Sequence, residues 1–163
     1  MILYLILLFV VLIADQLSKY WIVSNFSLHQ TREILPGFFN LVYVTNKGAA
    51  FSMFASIDSP LRHYFFVFVN AAAVIGLTVA AFKMRRPNLL YRLAFALIAA
   101  GALGNLIDRL RYGAVIDFLD FFVADYHWPA FNVADSSICI GVGLLFVTNI
   151  LLESKNKHLR SSS

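Results

Sequence analysis

The sequence predicts an all-α membrane protein, with four transmembrane helices and a small extracytoplasmic β-sheet or cradle. Of its 163 residues, 60% are hydrophobic and only 13% are charged. The mean hydropathy of +0.75 is far above that of a soluble globular domain. Four apolar stretches approach the length of about 20 residues that a helix needs to cross a bilayer. We therefore expect a single integral-membrane domain over residues 1–163.

The apolar stretches place the helices at about residues 1–23, 61–82, 93–110 and 132–152. The first stretch contains Asp15 and Lys19, so it fits a membrane span only if these residues lie near its far end. It lacks a basic N-terminal region and a small-x-small cleavage site, both typical of a signal peptide. We expect a retained helix.

Two outer segments, residues 24–60 and 111–131, separate the helices. Pro36-Gly37 predicts a turn, and the residues up to Thr45 are rich in β-branched and aromatic side chains. These features predict a short sheet resting on the membrane, to which residues 113–123 add a loosely alternating segment.

The formal net charge of +4 is a signal of membrane topology. Basic residues cluster in the link between helices two and three and in the C-terminal tail, and short basic loops stay in the cytoplasm. This predicts cytoplasmic termini, outer segments on the opposite side and no nucleic-acid partner. The basic residues are Lys83, Arg85, Arg86, Arg92, Lys155, Lys157 and Arg160.

Metal and disulfide chemistry have no support in the sequence. The single cysteine, Cys139, lies in the fourth apolar stretch and is interpreted as a small buried hydrophobic residue. The four histidines are scattered, and no metal-ligand spacing occurs. We expect neither a metal nor another cofactor.

Polar residues instead gather at one depth. Asp15 lies about 21 Å along an outward-running first helix, at 1.5 Å per residue. Polar side chains also end the third helix and begin the fourth, so all of them are expected at the extracytoplasmic face. Ionisable groups at such a depth usually mark a functional site. The residues are Asp15, Lys19, Asn105, Asp108, Arg109, Asn132 and Asp135.

These residues also have structural interpretations. Gly101, Gly104, Asn105 and Asp108 share one helical face, and the glycines allow a helix or an extended peptide to approach. Asp15 and Lys19 have the spacing of a structural ion pair. Asn132 with Asp135 is typical of a helix N-cap, Asp108-Arg109 of an interfacial helix end, and Asp117 of a loop carboxylate.

Carboxylate chemistry is the catalytic hypothesis that remains. Two close carboxylates share a proton, so one activates water while the other donates to a carbonyl oxygen, which hydrolyses an amide. A helix N-terminus favours ionised Asp135 as the base, and an apolar setting favours neutral Asp117 as the acid. A proton-coupled carrier and a non-enzymatic scaffold are the alternatives. Carriers place ionisable groups near the bilayer midplane, often in repeats, and neither feature is evident.

Five motifs, spread over nearly the whole chain, resemble those of the bacterial lipoprotein signal peptidases, also called signal peptidase II. They are Asp15–Lys19, Thr45–Ser52, Gly101–Arg109, Val115–Phe118 and Phe131–Ser136.

The resemblance implies a bacterial inner-membrane aspartyl endopeptidase that cleaves diacylglyceryl-modified prolipoproteins just before the lipid-bearing cysteine. It implies prolipoprotein substrates, surrounding phospholipids and inhibition by the cyclic peptide globomycin. It places the catalytic pair on Asp117 and Asp135. Supporting positions fall on Asp15, Lys19, Asn46, Gly48, Gly101, Asn105, Asp108, Arg109, Asn132 and Ala134.

Overall fold

The computed structural model describes residues 1–48, 60–84 and 88–161, with side chains undescribed at 60 and 152–161. It contains four helices, α1 (Ile2–Asn25), α2 (Pro60–Lys83), α3 (Leu89–Tyr112) and α4 (Val133–Ser161). Part of the second motif (49–52) and two link arginines (85 and 86) lie outside the described residues, as do the side chains of the basic C-terminal tail.

Each of the four helices includes a stretch long and apolar enough to cross a membrane. Large side chains such as Leu61 (77% exposed) and Phe68 (71% exposed) face outward, as expected for surfaces in contact with lipid. The multi-span architecture predicted from composition is therefore confirmed.

Helix α3 occupies the centre of the bundle and packs against the other three helices. Its interior face is built from small residues, including fully buried Ala96, Ala99 and Ala100, which let neighbouring helices approach closely. The helix begins at Leu89, four residues before the expected start at 93, because the side chain of Asn88 caps it. Asn88 Oδ1 accepts a hydrogen bond from the Leu90 amide at 2.9 Å.

A four-stranded antiparallel sheet accompanies the helices in the order β1-β2-β3-β4. The strands are β1 (Thr31–Leu35), β2 (Phe39–Asn46), β3 (Val115–Val123) and β4 (Tyr126–His127). Gly37 makes the β1–β2 turn with a φ of +71°, a conformation that glycine adopts without strain. Both regions predicted to form a sheet therefore do so.

Two connections bring the sheet and the helices together. Gly113 ends α3 in the left-handed conformation, and its amide donates to the Arg109 carbonyl at 3.0 Å. Strand β3 consequently starts two residues later, close to the polar end of α3. Leu119 of β3 then pairs with Phe131, which leads directly into α4. The end of α3, the start of β3 and the start of α4 thus converge.

Candidate active site

A buried charge cluster joins α1 to α3 at this point of convergence. Lys19 Nζ lies 2.9 Å from Asp15 Oδ2 and 2.8 Å from Asp108 Oδ2, and it donates to Asn105 Oδ1 at 3.1 Å. Lys19, Asp15 and Asp108 are each at most 2% exposed. The predicted Asp15–Lys19 pair exists, but the structure adds a second carboxylate from a helix far away in the sequence.

The cluster also holds the backbone on both sides of the site. Asp15 Oδ1 accepts from the amide of Ala134 at 2.9 Å, and Asp108 Oδ2 accepts from the amide of Ile116 at 3.2 Å. Ala134 immediately precedes Asp135, and Ile116 immediately precedes Asp117. A buried carboxylate that accepts backbone hydrogen bonds fixes the position of that backbone. The Lys19 cluster therefore positions both candidate catalytic aspartates.

Two asparagine amides link the candidate catalytic carboxylates. Asn105 Nδ2 donates to Asp135 Oδ1, and Asn132 Nδ2 donates to Asp117 Oδ1, each at 2.8 Å. The amides meet each other, since Asn132 Nδ2 lies 3.3 Å from Asn105 Oδ1. Asn132 Oδ1 accepts from the Asp135 amide at 2.8 Å, so the predicted N-cap is present as well. One residue thus caps α4 and orients Asp117.

The two aspartates differ in environment. Asp117 is 2% exposed on β3, and burial raises the pKa of its carboxyl from 3.8 to about 7. That value of about 7 already includes the charge of Asp135, which also raises the pKa, and the Asn46 hydrogen bond, the Lys19 charge and the Asn132 hydrogen bond, which lower it. Asp117 therefore keeps its proton at pH values where an ordinary aspartate has lost it.

Arg109 connects the end of α3 to the loop after β2. Its Nη2 donates to the Gly48 carbonyl at 2.9 Å, and its guanidinium carbon lies 5.2 Å from the centre of the Phe66 ring. Asn46 Oδ1 accepts from the Gly48 amide at 2.9 Å, so Gly48 is held at both its amide and its carbonyl. The planar guanidinium, with five donors, suits such simultaneous contacts.

A cavity of about 470 Å³ opens beside these groups. Four of the predicted site residues line it, namely Asn46, Asn105, Arg109 and Asp135. The rest of the wall is mainly apolar and comes from α2, the start of β3, the segment before α4 and the first turns of α4. A pocket that combines an apolar wall with a few polar groups is typical of a ligand site. The other lining residues are Phe66, Val69, Asn70, Val115, Trp128, Pro129, Ala130, Phe131, Ser136, Ile138 and Cys139. The prediction that Cys139 is buried is wrong, because its position on α4 leaves it exposed.

The two glycines of α3 face protein instead of the cavity. A Cβ atom on Gly101 would collide with the carbonyl oxygen of Ala134, and one on Gly104 would collide with Asp15 Oδ2. The sequence suggested that these glycines allow the approach of either a helix or an extended peptide, and in the structure it is helices that approach. Gly101 and Gly104 therefore bring α1 and α4 close enough for the Lys19 cluster and the Asn105 amide to reach their partners.

The structure adds polar residues that sequence reasoning did not single out. Gln16 Nε2 donates to Asp15 Oδ2 and Asp108 Oδ1, each at 3.1 Å, and its i, i+3 spacing to Lys19 was the available signal. On the sheet, Asp120 accepts from Asn40 Nδ2 at 2.9 Å and lies 2.9 Å from His127 Nδ1. Asn40 pairs directly with Asp120 across β2 and β3, a register that the sequence alone does not reveal.

Metal ligands are not assembled at this site. Within the ranges the structure describes, no three histidine, cysteine, aspartate or glutamate side chains form a group that could hold an ion. The polar groups present are carboxylates, amides, one lysine and one arginine. That set can bind a peptide backbone, exchange a proton and polarise water.

Comparisons with known proteins agree with this fold and this chain length. The family model described as Signal peptidase (SPase) II matches residues 7–151. The lipoprotein signal peptidase of Syntrophus aciditrophicus is 43% identical over 157 residues, which cover 96% of this chain and 97% of the relative. That of Syntrophotalea carbinolica is 49% identical over 137 residues, or 84% of each chain.

Solved structures give the same result. A bacterial membrane enzyme determined in meso at 2.3 Å resolution superimposes with a TM-score of 0.82 at 36% identity, covering 94% of this chain and 90% of the other. A second, at 1.9 Å resolution, has a TM-score of 0.78 at 35% identity and covers 89% and 90%. This protein is accordingly a multi-pass bacterial membrane protein, and the extent of the match shows that the chain belongs to the signal peptidase II family.

Proposed function

We propose that this chain is an intramembrane aspartyl endopeptidase that removes the signal peptide of diacylglyceryl-modified prolipoproteins. The cut falls on the N-terminal side of the lipid-modified cysteine. The observation that carries the proposal is the pair of carboxylates, Asp117 and Asp135, held by the joined amides of Asn105 and Asn132. Family membership supplies the substrate class.

The roles of the two aspartates follow from their environments. Asp135 lies in the first turn of α4, where the helix dipole favours negative charge, so it acts as the general base toward water. Asp117, whose pKa is raised to about 7 by burial, acts as the general acid toward the carbonyl oxygen of the scissile bond. Water adds to the carbonyl carbon as Asp135 takes its proton. The tetrahedral intermediate then collapses, and the leaving amine takes a proton from the pair.

The remaining site residues have binding or scaffolding roles. Asn105 and Asn132 hold the two carboxyls in place, and Asn46 donates to Asp117. Arg109 lines the cavity and holds the Gly48 carbonyl, and we assign both residues to binding of the substrate peptide. Five further residues fix the backbone that carries the aspartates: Asp15, Lys19, Gly101, Asp108 and Ala134.

The membrane orientation is part of the proposal. The basic link after Lys83 and the basic tail support cytoplasmic termini, and with that orientation the aspartates are expected near the extracytoplasmic face of the inner membrane. A lipid-anchored substrate presents its scissile bond at that level, with its acyl chains among membrane phospholipids. Globomycin-type cyclic peptides are expected to occupy the same cavity and to block it.

Cleavage of a synthetic lipopeptide tests the proposal. The purified protein should cleave a diacylglyceryl-modified lipobox peptide, and Asp117→Asn and Asp135→Asn should each abolish turnover without lowering thermal stability. Asp125→Asn is the matched control, because Asp125 is exposed in the β3–β4 turn. Turnover retained in either active-site variant rejects the catalytic pair. Ion flux in liposomes without cleavage would favour a carrier.

A further inference from the structure

One polar residue of the cavity wall has no role in the scheme above. Asn70 lies in α2, nine residues after Leu61, which is about 14 Å below the outer end of the helix at 1.5 Å per residue. That depth is within the hydrocarbon region of a bilayer. Polar side chains in membrane helices are costly there and usually face protein or a cavity. Asn70 lines the cavity beside the proposed active site.

The amide nitrogen of Asn70 is unsatisfied. Nδ2 is shielded from water and has no hydrogen-bond partner in the part of the chain that the structure describes. Val69, Ile138 and Cys139 line the same cavity, and their side chains offer no strong acceptor. A buried donor without a partner is unfavourable, so such a group calls for a ligand that supplies the missing acceptor.

Asn70 is placed at the membrane side of the proposed reaction centre. Along α4, the cavity wall runs from Asp135 to Cys139, one helical turn or about 6 Å further into the membrane. In a diacylglyceryl-modified substrate, the cysteine directly after the scissile bond carries the glycerol on its side chain. The two ester groups lie between that glycerol and the acyl chains. When the scissile amide lies at Asp135, the esters therefore extend along this wall toward α2.

We propose that Asn70 recognises the diacylglyceryl group of the substrate by donating a hydrogen bond from its amide to an ester carbonyl oxygen. An ester carbonyl accepts but does not donate, which matches a residue whose unmet requirement is an acceptor. The terminal torsion of asparagine is broad, so a modest rotation turns the amide toward the cavity. This inference rests on the proposed function and makes Asn70 a specificity-determining residue for the lipid.

The inference can be tested with two lipopeptides that differ only in how their chains are joined to the glycerol. One carries ester-linked acyl chains, and the other carries ether-linked alkyl chains of equal length, which lack the carbonyl oxygens. Asn70→Leu should lower kcat/KM for the diester about 3- to 10-fold and leave the value for the diether unchanged, as expected for one lost hydrogen bond. Asn149→Leu is the matched control, because Asn149 bonds Tyr91 away from the cavity.

Binding provides a second readout that does not depend on turnover. In an Asp135→Asn background, Asn70→Leu should weaken binding of the diester by a similar factor and leave binding of the diether unchanged. If Asn70→Leu lowers the affinity for both lipopeptides equally, or for neither, the proposed role of Asn70 is overturned. Failure of the unaltered protein to cleave the diester would instead contradict the proposed function.

Discussion

Asp15, near the middle of the first helix, accepts a hydrogen bond from the backbone amide of Ala134 at the start of the last helix, at 2.9 Å. The same carboxylate pairs with Lys19, which also pairs with Asp108. The ion cluster therefore lies beneath the proposed reaction centre and holds its backbone. It provides the first of five predictions.

Replacing Lys19 by methionine should destabilise the protein strongly. The change leaves Asp15 and Asp108 buried without their shared cation, and the loss of one partner from a buried ion pair typically costs about 3–5 kcal/mol. Thermal unfolding in detergent measures the effect. Lys83→Met is the control, because Lys83 is exposed at the end of α2. An unchanged unfolding temperature for Lys19→Met would contradict the scaffolding role of the cluster.

The rate of lipopeptide cleavage should fall as the pH rises through about 7. The raised pKa of Asp117 keeps this carboxyl protonated below that pH, and deprotonation removes the proposed general acid. The pH profile of kcat/KM should therefore have an alkaline limb near pH 7. A profile that stays flat from pH 6 to pH 9 would exclude Asp117 as the acid.

The same carboxyl should make stability depend on pH. Between pH 3.8 and about 7 the folded state holds a proton that the unfolded state has released, so the free energy of unfolding falls as the pH rises through this window. Asp117→Asn removes the cost of burying the charge. The variant should melt at a higher temperature than the parent protein at pH 8, with a smaller difference at pH 5. A constant difference would contradict the raised pKa.

Gly101→Ala should lower stability because the new methyl group collides with the Ala134 carbonyl, which is backbone and cannot move aside. Overpacking of this kind usually costs about 1–3 kcal/mol. Gly76→Ala is the matched helical control, since a Cβ at Gly76 meets nothing within 4 Å. Melting curves of the two variants should therefore differ, and identical curves would rule out close helix approach as the function of Gly101.

Asn132→Ser should separate the two tasks of this residue. A serine hydroxyl still caps the start of α4, but the donor to Asp117 is lost. A hydrogen bond to a charged or proton-sharing group is worth about 1.5–3 kcal/mol, so kcat should fall at least about 10-fold. Asn25→Ser, at the exposed end of α1, is the control. Full activity of Asn132→Ser would contradict the proposal that Asn132 orients Asp117.

The helices and the depth of the polar residues follow from the sequence for a physical reason. A bilayer imposes a minimum apolar length on every span, and polar groups at a common distance from the ends of spans must lie at one level. Asp15, Asn105 and Asp135 could be grouped by this rule. The strand segment with Asp117 could also be recognised, from the loose alternation of residues 113–123.

Which of these polar side chains contact one another could not be predicted. Lys19 was assigned one partner by its helical spacing, but Asp108 reaches it only through the packing of α1 on α3. Asn40 and Asp120 meet through the register of two strands, and Asn70 faces the cavity through the rotation of α2. Register and rotation depend on tertiary packing, which a single sequence does not encode in any local pattern.

The contact between Asp15 and Ala134 spans 119 residues of sequence. Because it needs both the first and the last helix, the reaction centre cannot form on a nascent chain that still lacks α4. The proposed hydrolytic activity is therefore expected only after α4 has been synthesised and inserted, and a chain truncated before α4 is expected to be inactive.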